Sequence, residues 1–202
     1  MPDNFTTVDL IRHGEPVGGR KYRGQLDDPL SEKGWQQMHA AIGAHRPWQQ
    51  IVSSPLQRCQ AFARELAQQA NLPLRFDERF MEVKFGVWEG KTAEQIRADD
   101  PQIITRFKQD PIKHRPAGAE PLDEFHARVR AAWLDLIAAH AGQQVLLVCH
   151  AGVIRMVLAN ALNIPLSSTY AIDVPSAGLT RIKVSGSGES AQHQLLFHHG
   201  AL

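Results

Sequence analysis

The sequence predicts a three-layer α/β sandwich with a mainly parallel sheet and a helical insertion over its C-terminal rim. Three observations carry that prediction. Short apolar runs rich in β-branched residues alternate with amphipathic helical stretches. Two of those runs end directly in a histidine beside glycine, at Ile11-Arg-His-Gly14 and Cys149-His-Ala-Gly152. The length, 202 residues, is enough to bury a full hydrophobic core.

Thr6 to Ile11 reads as the first strand, stopped by the polar run Arg12-His-Gly-Glu15. A loop containing Gly18, Gly19, Gly24 and Pro29 follows, and Ser31 caps a helix to about His45. Ile51 to Ser53 is a short buried strand. Ser54 and Pro55 then have the pattern of an N-cap and first helical position. The apolar face of that helix is Leu56, Cys59, Phe62, Ala63, Leu66 and Ala70. Leu74 to Phe76 can form a strand, Phe85 to Gly90 is turn-rich, and Thr92-Ala-Glu-Gln95 has capping-box spacing. A second short helix runs from Asp100-Pro101 to Phe107, and Asp110 to Pro121, with three prolines, reads as loop. Residues 91–121 have too few apolar side chains for their own core, so the chain is read as a single domain over 1–202 with this stretch as an insertion.

A long amphipathic helix from Leu122, ended by Gly142, leads into the clearest buried strand, Val145 to Cys149. A helix over about Val153 to Leu162 comes next. Ile172 to Val174, Leu179 to Val184 and Gln194 to His198 read as edge strands, with a Gly- and Ser-rich turn at Ser185 to Ala191.

Composition narrows the function. Hydrophobic residues are 43% and charged residues 21%, which excludes disorder, and the net charge of +1 argues against nucleic-acid binding through an overall field. Two cysteines cannot make a disulfide framework, and Met1 to Thr7 lacks a secretory pattern, so a cytoplasmic protein is expected. Val145 to Leu166 is broken by His150, Arg155 and Asn160, which is wrong for a membrane span. A homodimer is left open.

In an open parallel sheet, ligands bind at the carboxyl ends of the strands. That rim would gather Arg12, His13, Arg58 and His150, two guanidiniums and two imidazoles suited to a dianionic phosphate. There is no Gly-x-Ser-x-Gly elbow and no Walker-type loop. A neutral imidazole can serve as nucleophile if a backbone carbonyl in the adjoining turn holds its other N–H, and His13 beside Gly14 is placed for that. Glu82, among Phe80, Met81 and Val83, is the candidate general acid, a desolvated carboxyl that retains its proton; Glu78, Glu89 and Glu120 are alternatives. Any one of these residues alone has an ordinary structural reading: a strand-end histidine, a solvated helix arginine.

Six motifs bear on the family: Leu10-Ile-Arg-His-Gly-Glu15, Asp28-Pro-Leu-Ser-Glu-Lys-Gly34, Ser53-Ser-Pro-Leu-Gln-Arg58, Phe85-Gly-Val-Trp-Glu-Gly90, Ala117-Gly-Ala-Glu-Pro121 and Val148-Cys-His-Ala-Gly152. In these the chain resembles the histidine phosphatase superfamily, in the branch similar to phosphoglycerate mutases. A specified tetrapeptide arises by chance with probability on the order of 10⁻³ in a chain this long, so several in family order are not accidental. The resemblance implies an α/β sandwich and a phosphomonoesterase with no cofactor and no metal. It implies His13 as the phosphoryl acceptor, with Arg12, Arg58 and His150 holding the phosphoryl group. Glu82 would act as acid and then as base. Glu15, Arg23, Gly24 and Ala151 complete the expected substrate contacts, the ligands being a small phosphomonoester and inorganic phosphate. Pro16 and Gly19 stand where short phosphatases of this family carry Thr and Asn, which removes an Asn phosphate contact. The mutases' additional substrate-binding insertion is absent. The loops Glu15 to Asp28 and Gly118 to Pro121 resemble those of α-ribazole-5′-phosphate phosphatases of cobalamin assembly.

Three further readings concern single residues. Lys21, Tyr22, Arg23, His114 and Arg115 either line an outer pocket that selects the alcohol or are exposed loop residues. Cys59 and Cys149 read as small buried hydrophobes. His198 and His199, adjacent on a strand, point to opposite faces and do not form a metal site.

Overall fold

In a computed structural model, the structure describes residues 5–202; the expectation for Met1 to Asn4 lies outside them. Six strands form one sheet in the order β3-β2-β4-β1-β5-β6. They are β1 (Thr6–Arg12), β2 (Gln50–Ser53), β3 (Leu74–Phe76), β4 (Gln144–Cys149), β5 (Leu179–Ser185) and β6 (Gln192–Gly200). The first four in spatial order are mutually parallel, and β5 and β6 add an antiparallel edge. The helices are α1 (Glu32–Ile42), α2 (Gln57–Ala70), α3 (Ala93–Arg97), α4 (Ile103–Gln109), α5 (Leu122–Ala139) and α6 (Ala151–Leu162).

The two-residue period of a strand divides the core into two layers. Val8 and Leu10 of β1, with Val145 and Leu147 of β4, face one cluster with α5, α6 and the insertion residues Ile96, Ile104 and Phe107. Ile11, Leu146 and Val148 face the other, against α1 and α2. β4 is apolar on both faces because helices cover both. The acidic residue within β1, Asp9, is buried and compensated: Arg181 donates to it twice, at 2.7 and 2.9 Å, and the Trp48 indole donates at 2.7 Å.

Most helix boundaries follow local chemistry. Ser31 Oγ accepts from the Gly34 N–H, and Thr92 with Gln95 forms a full capping box. α1 ends at Ile42, short of the expected His45, because Gly43 closes it at φ 47°. Two expectations fail. α2 starts at Gln57 with Leu56 as N-cap, later than Ser54 and Pro55 suggest; the Ser54 hydroxyl accepts from the Leu56 N–H at 3.4 Å and meets His150 Nε2 at 2.8 Å. Ile172 to Val174 is not a strand but an irregular segment after a 3₁₀ turn (Leu166–Ala171), and its carbonyls receive arginine side chains instead. Among the described residues no helix is long and apolar enough to cross a membrane.

Candidate active site

Sheet register builds the rim. Arg12 pairs with Cys149, and Ser53 pairs with Val148, so β1, β4 and β2 finish level with one another. The ladder runs one step further: His13 N–H donates to the Cys149 carbonyl and Ser54 N–H to the Val148 carbonyl, both at 3.0 Å. His13, His150 and Ser54 therefore leave three adjacent strands at the same height.

The imidazole rings of His13 and His150 lie 5.2 Å apart, edge to face. His13 Nδ1 is 2.7 Å from the Gly14 carbonyl. A carbonyl only accepts, so Nδ1 carries the proton and Nε2 keeps its lone pair. Burial, and then the Arg58 and Arg12 charges, hold the His13 pKa well below the ordinary 6.5. The nucleophile candidate is thus a neutral imidazole between two cations. His150 is fully buried, its Nε2 is 2.8 Å from Ser54 Oγ, and burial with the Arg58 charge lowers its pKa as well.

Arg58 projects from the first turn of α2 and donates to the carbonyls of Gly24 (2.7 Å) and Leu26 (2.8 Å). Arg12 donates to the Val174 carbonyl at 2.6 Å. Burial lowers both guanidinium pKa values, that of Arg12 to about 10. Among the described residues the buried Nε of each has no hydrogen-bond partner. Two fixed, buried guanidiniums with free donors match the charge and lone pairs of a phosphoryl group.

Glu82 follows the 3₁₀ turn Glu78–Phe80. Its surroundings differ from the apolar pocket expected. Phe80 and Val83 face the core, whereas the carboxyl oxygens accept from the Val83 N–H (3.0 Å) and, at the start of α6, from the Gly152 N–H (3.1 Å). Gly152 leaves room for that approach: a Cβ there would fall 2.1 Å from Glu82 Oε1 and push the carboxyl away. The charge of Glu82 reaches both Arg12 and Arg58. Its rivals are otherwise occupied: Glu120 pairs with Arg128, Glu89 accepts from the Phe85 and Gln25 N–H groups, and Glu78 is exposed.

The remaining expected contacts divide. Arg23 is buried beside the site and bound to Asp28 and the Val17 carbonyl. Gly24 contributes the carbonyl that receives Arg58. Ala151 opens α6 next to His150. Glu15 turns its carboxylate to Lys33 instead of to an arginine of the cluster. Ser54 and Tyr170 were not anticipated as site residues; the Ser53-Ser-Pro motif was the available signal for Ser54. Burial pushes the Cys59 thiol up to about 12 and raises Cys149 well above its ordinary value, which leaves both as neutral packing groups. Among the described residues no group of three or more His, Cys, Asp or Glu is placed to hold a metal ion.

A sequence model of the histidine phosphatase superfamily (branch 1) matches residues 8–194. The chain belongs to that superfamily. Among its relatives is the bifunctional protein Rv2228c of Mycobacterium tuberculosis, 34% identical over 92% of this chain and 52% of the relative. The chain therefore spans about half the length of that protein. Phosphoserine phosphatase 1 of Hydrogenobacter thermophilus is 30% identical over 86% of this chain and 84% of the relative. The solved mycobacterial glucosyl-3-phosphoglycerate phosphatase superposes with a TM-score of 0.87 at 29% identity, covering 98% of this chain and all of that one. An Escherichia coli protein provisionally described as an alpha-ribazole-5′-P phosphatase is 22% identical with a TM-score of 0.77, a likeness of fold alone.

Proposed function

We propose that this histidine phosphatase hydrolyses small phosphomonoesters in two steps through a phosphohistidine at His13. Nε2 of His13 attacks phosphorus and the bond to the ester oxygen breaks. Glu82, protonated when the ester binds, gives that proton to the departing alcohol and then takes one from the water that attacks the phosphohistidine. That second attack breaks the N–P bond, restores the imidazole and releases inorganic phosphate. Arg12, Arg58 and His150 hold the phosphoryl oxygens as charge develops on them. The carrying observation is the 2.7 Å contact between His13 Nδ1 and the Gly14 carbonyl, which points the free lone pair of a neutral ring away from that turn.

Two readings of the alcohol compete. The loops at residues 15–28 and 118–121 support α-ribazole 5′-phosphate. The named substrates of the relatives, phosphoserine and glucosyl-3-phosphoglycerate, are phosphoesters that carry a carboxylate, and arginines around the rim favour them. We treat residues 1–202 as one phosphatase domain, with 91–121 as its insertion. Two free, buried thiols support a cytoplasmic setting. The test is hydrolysis of an aryl phosphate in excess chelator by the parent protein and by His13→Ala. Turnover by the parent and none by a folded variant is expected; substantial turnover by the variant refutes the nucleophile.

A further inference from the structure

We propose that Arg115, which shares its neighbour Tyr170 with Arg155, binds a second anionic group on the alcohol part of the substrate, a carboxylate or a further phosphate. The inference rests on the phosphatase reading and narrows its substrate class.

Arg115 belongs to the loop of the insertion that precedes α5. Its Nε and both terminal nitrogens are buried, and among the described residues none makes a hydrogen bond of normal geometry, the Tyr170 hydroxyl beside them included. A guanidinium stays charged in proteins and presents donors in a planar fork, so one buried without an acceptor is set to receive an anion. Other arginines of this chain show the alternative. Arg128 is saturated by Glu120 and the carbonyls of Arg79, Met81 and Glu82, and Arg181 grips Asp9.

The position ties Arg115 to the phosphoryl site. Arg115 lies beside the hydroxyl of the half-buried Tyr170, whose pKa burial raises and the Arg155 and Arg115 charges oppose. Tyr170 packs edge-on against Phe107 of α4, with centroids 4.6 Å apart, and lies 5.0 Å beneath the Arg155 guanidinium. Arg155 donates to the Ile172 carbonyl at 3.0 Å, two residues from Val174, which receives Arg12. The Arg155 and Arg20 charges both act on Arg12, and that of Glu82 acts on Tyr170. A line of side chains thus runs from the phosphoryl-binding Arg12 to the unpartnered fork of Arg115. It lies on the side where the insertion covers the rim.

The experiment compares kcat/KM within two substrate pairs, 3-phosphoglycerate against glycerol 3-phosphate and fructose 1,6-bisphosphate against fructose 6-phosphate. A paired charged hydrogen bond predicts a preference of roughly ten- to a hundredfold for the more anionic member of at least one pair. The first pair responding identifies a carboxylate, the second a phosphate. Arg115→Gln should collapse that ratio, mainly through KM, and Arg115→Lys should retain part of it. The parent protein's own ratio needs no variant, so a misfolded Arg115→Gln does not protect the inference. Aryl phosphate turnover without preference in either pair overturns it, as does a ratio unchanged in Arg115→Gln. Failure to hydrolyse any phosphomonoester overturns the phosphatase reading and this inference with it.

Discussion

Acidification should destabilise this protein through His13 and His150, and replacing His13 should remove its share. Burial and the neighbouring guanidiniums hold both rings neutral in the fold, with pKa values well below the ordinary 6.5. In the unfolded chain each ring protonates as pH falls through about 6.5. The unfolded state then binds more protons than the native one, so stability is fully present above that pH and declines below it. The limiting slope is about 1.4 kcal/mol per pH unit for each ring. Between pH 7 and 5.5, near-complete protonation of the unfolded ring alone removes about 1.3 kcal/mol per histidine, or roughly 2.5 kcal/mol for the pair. His126 and His193 are also shifted down, but both are partly exposed and add less. Urea unfolding at the two pH values, for the parent and His13→Asn, isolates the term. The variant should lose about 1.3 kcal/mol less stability than the parent. Equal losses would mean that His13 takes up its proton in the fold as readily as in the unfolded chain, and a greater loss by the variant that the ring is charged in the fold; a charged imidazole has no lone pair with which to attack phosphorus.

Gly152→Ala places a methyl group 2.1 Å from Glu82 Oε1 and must displace the proposed acid. Overpacking should cost about 1–3 kcal/mol of stability. The value of kcat should fall by roughly 10²-fold for alkyl phosphates, and much less for nitrophenyl phosphate, whose leaving group needs no proton. Equal losses on both would remove Glu82 from the acid role. Asp9→Ala strips the acceptor from Arg181 and Trp48 far from the chemistry. Urea denaturation should show a loss of roughly 3 kcal/mol, with activity per folded molecule retained.

The sequence makes legible those parts of the site fixed by strand ends. Arg12, His13 and His150 follow apolar runs whose identity as parallel strands dictates where they emerge, and the register brings them level. Ser54 was misread because a Ser-Pro pair has the same local pattern whether its hydroxyl caps a helix or meets His150 across the sheet. Ile172 to Val174 has strand-like composition, but its carbonyls are satisfied by Arg155 and Arg12, partners more than fifteen residues away in sequence. Propensity cannot register such long-range donors. The Glu82 carboxyl accepts from the Val83 N–H next to it in the chain and from the Gly152 N–H, and the second contact depends on how closely α6 approaches, which no local pattern around Glu82 encodes. The unpartnered state of Arg115 is likewise a property of packing, and the insertion sequence contains no sign of it.

The transient bond between phosphorus and His13 Nε2 is the centre of this account. Enzyme mixed with a phosphorus-labelled ester and quenched by denaturation in mid-turnover should carry acid-labile, base-stable label in the peptide containing His13. Label on another residue, or turnover without any labelled protein under conditions where its formation outpaces its hydrolysis, would contradict the account.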